Sequence, residues 1–223
     1  MHASRFPLPV ALVAGLALAA IPRSLGAQAD PDKAVAGGGS LPEGWRARTE
    51  RNAPLANVKF VTMGDGLHAT LGPAAIFWRD RDTVSGAYHV VASITQMKNP
   101  EHPEAYGIFI GGRNLADSTQ AYTYFIIRAI DGKYMIRRRA GFAARPTNVV
   151  DWTDHPAVVK ADGTGKATNE LSILVAGGKV SFMVNGKEVY AGDAADLDTS
   201  GIVGYRVNHN LDVHLGPLGI HKQ

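Results

Sequence analysis

The stretch KVSFMVNGKEVYAG, residues 179–192, alternates apolar and polar side chains up to Asn185-Gly186 and then resumes as a second short segment. A period of two belongs to a strand with one buried face and conflicts with the three-and-four spacing of an amphipathic helix. Val180, Phe182 and Val184 therefore share one face, and Ser181, Met183 and Asn185 share the other. Asn and Gly tolerate positive φ, which a two-residue hairpin turn demands at its centre. Asp131-Gly132 and Gly177-Gly178 carry the same signature, so further tight hairpins are expected there.

The same period recurs from Trp45 onward. It predicts strands at 58–63, 66–71, 74–78, 86–97, 105–113, 120–130, 133–140, 169–176, 179–185, 187–191, 201–208 and 211–220, with no long helix. FII at 125–127 and SILV at 172–175 are apolar on both faces, which suits strands in the interior of a sheet. Short antiparallel strands in hairpin succession predict an all-β fold, a two-sheet antiparallel β-sandwich of jelly-roll type, with an up-and-down barrel as the alternative. No internal repeat is visible, which argues against a propeller or solenoid.

A chain of 223 residues, 45% of them hydrophobic, suffices for one sizeable core, and a single sandwich domain over 45–223 takes in every expected strand. The opening MHASRFPLPVALVAGLALAAIPRSLGAQAD has Arg5, an apolar run from Leu8 to Ile21, and Ala27-Gln28-Ala29 as a small-residue cleavage site. That is the pattern of a secretory signal peptide over 1–29, and it implies an exported protein, periplasmic or extracellular. The run contains Pro9 and is about 14 residues long, short of the roughly 20 that span a bilayer, so no membrane span is expected. Residues 30–44, DPDKAVAGGGSLPEG, are small, polar and aperiodic, and read as a flexible leader. Of 23 basic residues against 20 acidic ones, Arg5 and Arg23 lie in the signal peptide, leaving 21 against 20. So even a balance excludes a strong global attraction to nucleic acid or anionic lipid. The chain has no cysteine, hence no disulfide, no thiolate nucleophile and no thiolate metal site.

The segments AYGIFIGG at 105–112, YTYFIIRAIDGKYMIRRRAG at 122–141, NELSILVAGGKVSFMVNGKEVY at 169–190 and DTSGIVGYRVNHNLDVHLGPLGI at 198–220 carry a likeness. Together they resemble the concanavalin A-like lectin/glucanase superfamily, near the bacterial secreted domains grouped with 3-keto-disaccharide hydrolases. The resemblance covers roughly residues 45–220 and rests on a general pattern, a strand, an Asn-Gly turn, a strand and a final GIVGYR strand, so it speaks for fold more than for activity. Glucanases of that superfamily set two glutamates on one strand in an E-x-D-x-x-E pattern, flanking the glycosidic bond. The six glutamates here, at 43, 50, 101, 104, 170 and 188, do not form it. Glu101 and Glu104 fall in the proline-broken NPEHPEA. The keto-sugar branch supplies no residue pattern to match.

Other chemistry is thinly represented. No G-x-S-x-G elbow occurs, and Gly64-Asp65-Gly66 and Gly163-Thr164-Gly165-Lys166 miss the phosphate-binding spacings and read as turns. His209 and His214 flank the last turn at a spacing that puts them on opposite faces of a continuous strand, against a metal pair. Asp193, Asp196 and Asp198 form a carboxylate-rich loop where calcium would find oxygen ligands, although aspartates also favour turns for their own sake. No other cofactor is expected. Arg137-Arg138-Arg139, with Arg128 and Arg145, raises nucleic-acid binding; alternation splits the triplet between two faces, and an exported chain is not expected to meet nucleic acid.

One sheet surface stands out. Tyr122, Tyr124 and Arg128 share a face of the strand from 120, and Arg137 and Arg139 share a face of its hairpin partner. A two-residue turn at Asp131-Gly132 would set Tyr124 opposite Arg139, Ile126 opposite Arg137 and Arg128 opposite Met135, with Phe125, Ile127 and Ile136 facing the core. Flat rings suit sugar faces, and guanidinium forks suit hydroxyls or carboxylates; the same groups also stabilise a solvent-facing sheet by pairing across strands. Trp152 and His155 in VVDWTDHPA, read as a loop, with Asn208, His209 and Asn210, would form the rim. The leading expectation is a lectin-like domain that binds carbohydrate or glycan without glucanase residues, through Tyr122, Tyr124, Arg128, Arg137, Arg139 and Trp152. The first alternative is a hydrolase or lyase acting on keto-sugar disaccharides, with Asp151, Asp154, His155 and His209 as acid/base candidates. The second is a cell-surface module that recognises protein.

Overall fold

The computed structural model describes residues 1–2 and 33–223. The expected signal peptide, save its first two residues, and the start of the expected leader lie outside the described residues. The all-β expectation holds: among the described residues there are fifteen strands and only three short 3-10 turns of helix. The strands are β1 (Arg46–Thr49), β2 (Val58–Met63), β3 (Gly66–Leu71), β4 (Ala75–Val84), β5 (Tyr88–Gln96), β6 (Tyr106–Arg113), β7 (Ala121–Arg128) and β8 (Lys133–Ala140). They continue as β9 (Thr147–Asp154), β10 (Ala167–Ala176), β11 (Lys179–Val184), β12 (Lys187–Asp193), β13 (Gly201–Val207), β14 (Asp212–Leu215) and β15 (Gly219–Lys222). They form two antiparallel sheets, a jelly-roll β-sandwich: a seven-stranded sheet in the order β1-β4-β13-β6-β7-β8-β9, and an eight-stranded one in the order β12-β11-β10-β5-β14-β3-β2, with β15 also on β5.

The hairpin at 179–192 forms as expected. Val184 faces Lys187 across Asn185-Gly186, whose φ angles are 49° and 71°, and Val180, Phe182 and Val184 are all fully buried. Asn185 does more than turn the chain. Its Oδ1 accepts from the Glu170 N–H at 2.8 Å and its Nδ2 donates to the Ala157 carbonyl at 2.8 Å. Gly177-Gly178 makes a matching two-residue turn between Ala176 and Lys179.

Rings join the two sheets. Phe60 of β2 stacks on Phe77 of β4 at 4.1 Å, and Phe125 of β7 meets Phe182 of β11 edge-on at 5.4 Å. Each fully buried ring of this kind contributes roughly 1.5–3 kcal/mol through the area it removes from water. The seven-stranded sheet also carries a second apolar cluster on its outer face, built from Ile76, Trp78, Phe109, Tyr122, Tyr124, Ile126 and Met135. That cluster depends on a close approach. A Cβ on Gly204 of β13 would lie 2.3 Å from the Phe77 carbonyl oxygen and 2.7 Å from the Phe109 ring.

Four expectations are corrected. Asp131-Gly132 is not a two-residue turn: Arg128 pairs with Lys133, Tyr124 with Arg137 and Tyr122 with Arg139. The loop spans 129–132, closed by Gly132 N–H to the Arg128 carbonyl at 3.0 Å and by an Arg128–Asp131 ion pair. The slip is by two residues, an even number, so the same side chains still share each face. VVDWTDHPA is no loop up to Asp154, because 147–154 form β9 at the sheet edge; an edge strand lacks the apolar alternation that a half-buried one shows. Residues 211–220 break into β14 and β15 around Gly216-Pro217, where proline has no N–H for a ladder. RART at 46–49, with no expected strand, pairs with β4. From residue 33 the glycine-rich segment makes contacts: Gly39 N–H reaches the Val58 carbonyl at 3.0 Å, Lys33 pairs with Glu101, and Leu41 packs on the core.

Gly204→Ala is expected to destabilise the fold by about 1–3 kcal/mol through overpacking against Phe109 and the Phe77 carbonyl. Urea unfolding, with the midpoint falling at an unchanged slope, checks this.

Candidate functional site

The outer face of the seven-stranded sheet carries charge as well as rings. Arg206 lies on β13, an interior strand, and is 6% exposed. Its Nη2 donates to Glu50 Oε1 at 2.5 Å, and its Nε donates to Asn208 Oδ1 at 3.2 Å. Glu50 follows β1 in a turn where Arg51 and Asn52 both sit in the left-handed region, at φ 55° and 53°, a conformation that costs a non-glycine residue about 1–2 kcal/mol. Thr49 Oγ1 braces the turn on the Ala53 carbonyl at 2.6 Å.

Ala74 ties two of the groups together. Its carbonyl accepts from Glu50 N–H at 2.7 Å, and its N–H donates to His209 Nδ1 at 3.3 Å. A ring nitrogen that accepts carries no proton, so the hydrogen-bond pattern assigns the proton to Nε2, which lies 3.7 Å from Glu50 Oε2. Arg139 of β8 reaches the same carboxylate from the other side, Nη2 to Oε1 at 3.4 Å.

The Arg206 guanidinium holds the Glu50 carboxyl well below the usual carboxylate range; burial opposes this, and the His209 and Arg206 hydrogen bonds and the Arg139 charge reinforce it. Burial works against the charge on Arg206, and Glu50 together with the phenols of Tyr122 and Tyr124 more than offsets it. Burial also pushes the Tyr124 hydroxyl up, against the pull of Arg206. Glu104, near His209 and Asn208, is raised by burial, with those two neighbours pulling it back.

Above these groups lies a cleft of about 280 Å³ lined by Glu50, Tyr124, Ile126, Met135, Arg137, Arg139, Pro146, Arg206, Asn208 and His209. Its apolar side is Ile126 and Met135; its polar side is cationic. A second, much smaller space of about 10 Å³ lies beside it over Tyr122, closed by Arg48, Arg139 and Phe142, with the Arg48 guanidinium 4.8 Å from the Phe142 ring.

The expected ligand contacts divide. Tyr124, Arg137 and Arg139 line the cleft. Tyr122 does not offer a ring to solvent: it is 1% exposed, packed against Phe109 at 5.2 Å and Tyr124 at 5.7 Å. Tyr124 is 4% exposed and presents a wall of the cleft, not an open stacking face. Both rings are withdrawn because Phe109 on the neighbouring β6 packs against Tyr122 and the outer face forms a small core of its own. Arg128 and Trp152 sit outside the cleft, bound to each other: the guanidinium lies 4.3 Å from the Trp152 ring and is forked onto Asp131.

Of the acid/base candidates, only His209 lines the cleft. Asp151 and Asp154 are exposed on β9, 3.9 Å from Arg137 and 3.6 Å from Lys133. His155 lies beyond that strand, its Nδ1 accepting from Ala157 N–H at 3.2 Å and its ring edge-on to Tyr134. The calcium candidates do not converge. Asp193 is paired with Lys179, Asp198 with Arg113 at 2.6 Å and Arg138 at 3.3 Å. Among the described residues no group of three or more His, Asp or Glu could hold a metal ion. His68 and His214 do face each other across β3 and β14, with His68 Nε2 at 2.8 Å from Asp212.

Glu50 and Arg206 escape sequence reasoning as site residues. Arg206 does leave a signal: it is the one charge in GIVGYRV, a strand otherwise without polar side chains but for the Tyr205 hydroxyl, and an arginine there needs an anion. Nothing local to Glu50 identifies it as that anion, because the partner lies 156 residues away.

No protein-family profile matches the chain, and no curated protein matches it in sequence. Solved structures do share its fold. A carbohydrate-binding module of family 66 from Bacillus subtilis is 11% identical, with a TM-score of 0.56 over 82% of this chain and 99% of that one. A protein of unknown function with a galectin-like fold, also from Bacillus subtilis, is 12% identical, with a TM-score of 0.58 over 80% and 89%. Alginate lyase A1-II′, of polysaccharide lyase family 7, is 13% identical, with a TM-score of 0.52 over 81% and 95%. At such identities the likeness is one of fold, the concanavalin A-like β-sandwich.

Glu50→Gln should cost about 3 kcal/mol in chemical denaturation, since it leaves the buried Arg206 without its anion. The pH dependence has a definite sign. Glu50 is depressed in the folded state, so its stabilisation is fully present above the ordinary value of 4.5 and is lost as the pH falls further below it. The variant is therefore expected to show a shallower loss of stability below that value than the parent.

Proposed function

We propose that this is an exported carbohydrate-binding β-sandwich whose ligand sits in the cleft over β7, β8 and β13. The observation that carries the reading is the cleft itself: guanidinium groups of Arg137, Arg139 and Arg206, the Tyr124 phenol and an apolar wall of Ile126 and Met135 converge on one sheet face. Fixed donors beside an apolar lining suit a ligand that carries both hydroxyls and C–H groups, as a sugar does. Support also comes from the company the fold keeps, which includes a carbohydrate-binding module. Export rests on the signal-peptide pattern at 1–29; among the described residues no helix is long and apolar enough to cross a membrane.

A second reading, cleavage of the bound saccharide by hydrolysis or elimination, is favoured by one observation. A carboxylate, an imidazole, a phenol and a buried guanidinium, from Glu50, His209, Tyr124 and Arg206, line the same space, and these are the groups that general acid–base chemistry uses. Calorimetry on glycans retained in an array screen, followed by chromatography of the incubated glycan, separates the two readings. Retention without new fragments supports binding; fragments whose release is lost in His209→Ala support cleavage; no retained glycan overturns both.

For a retained glycan, Arg137→Ala is expected to weaken binding about 10–100-fold, the loss of a charge-assisted hydrogen bond of roughly 1.5–3 kcal/mol. Arg128→Ala, outside the cleft, should leave affinity unchanged by the same titration.

A further inference from the structure

The charges lining the cleft do not balance. Three guanidinium groups, Arg137, Arg139 and Arg206, face one carboxylate, Glu50, and the His209 imidazole beside them supplies no negative charge. Glu50 is engaged by Arg206 at 2.5 Å and reaches Arg139 only at 3.4 Å. The other bond that Arg139 makes is a long one, 3.3 Å to the Phe142 carbonyl, and its buried Nε has no hydrogen-bond partner. Arg137 donates to the neutral Asn148 at 2.5 Å and meets an anion only in Asp151, at 3.9 Å and largely exposed, a contact that solvent screens. Glu104 is not among the residues that line the cleft. Beyond the cleft Arg48 adds a further cation, stacked on Phe142.

Arg139 therefore shares a carboxylate that Arg206 already engages, and Arg137 meets only an exposed one, so the cleft carries a surplus of cationic charge. A partly buried cation left in that state is costly, and a planar fork is the geometry that takes a carboxylate or sulfate by two parallel bonds. We infer that the ligand is an anionic saccharide whose carboxylate or sulfate docks on Arg137 and Arg139, an inference that rests on the carbohydrate reading above. The apolar wall of Ile126 and Met135 faces the sugar ring, and Arg206 stays with Glu50.

The test is isothermal titration of the full exported chain with three tetrasaccharides: a galacturonan, a sulfated galactan and an unsubstituted galactan. Preference of at least about tenfold for either charged probe over the neutral one is expected, and it should shrink as sodium chloride is raised from low to high concentration. The tighter of the two charged probes identifies the anionic group. Arg137→Gln, at a partly exposed position, and Arg139→Gln should each abolish the preference while leaving weak binding of the neutral probe, with unchanged far-ultraviolet circular dichroism. Equal or tighter binding of the neutral galactan would overturn the anionic assignment and leave the carbohydrate reading standing. Retention of none of the three, or of any glycan on the array, would remove both.

Discussion

Arg206 is a buried guanidinium on an interior strand, on the outer face of the seven-stranded sheet, and the groups around it are arranged to neutralise it. Glu50 meets that need from a turn in which two consecutive non-glycine residues are held left-handed. Ala74, at the entry to β4, holds both Glu50 and His209 by its peptide groups. One charge pair thus fixes the relative positions of the end of β1, the start of β4 and the loop after β13, elements far apart in the chain. Removing either partner would leave a desolvated charge, whereas replacing both by well-packed apolar groups need not destabilise the fold. A polar pair kept where an apolar one would serve stability points to use of the charge.

The two faces of the seven-stranded sheet carry different work. Inward, Phe77, Ile108, Phe125 and Ile136 belong to the core shared with the second sheet. Outward, Trp78, Phe109 and Tyr122 form a smaller cluster that stiffens the surface on which the arginines stand. Rings that are withdrawn into that cluster cannot stack on a sugar, yet they lock the rotamers beside them. Tyr124 shows both roles, packed against Tyr122 on one side and walling the cleft on the other. Precise placement of the donors follows from strands, not loops, and a site so built changes little when a ligand arrives.

The legible part of the structure was the part written in local pattern. The hairpins at Gly177-Gly178 and Asn185-Gly186, the core face of β11, and the sharing of one face by Tyr122, Tyr124, Arg137 and Arg139 all follow from a period of two and from residues that accept positive φ. β9 was hidden because TNVVDWTD lies at an edge, where neither face is fully buried and alternation is weak. The pairing of Tyr124 with Arg137 was hidden because Arg128 and Asp131 close a longer loop than Asp131-Gly132 alone predicts. Parity survived that error, since a shift of two residues preserves the face. Exposure did not: nothing in β7 itself says that Phe109 of β6 would cover Tyr122.

By itself the chain determined its class, two antiparallel sheets with a dry interface, because side-chain alternation and turn chemistry act between neighbours in sequence. Only the tertiary structure decided which face would hold a cleft, which rings would be buried beside it, and that Glu50 would serve Arg206. The ion pair joins residues 156 positions apart, and a charge seeking its partner across that distance leaves no periodic trace in the sequence.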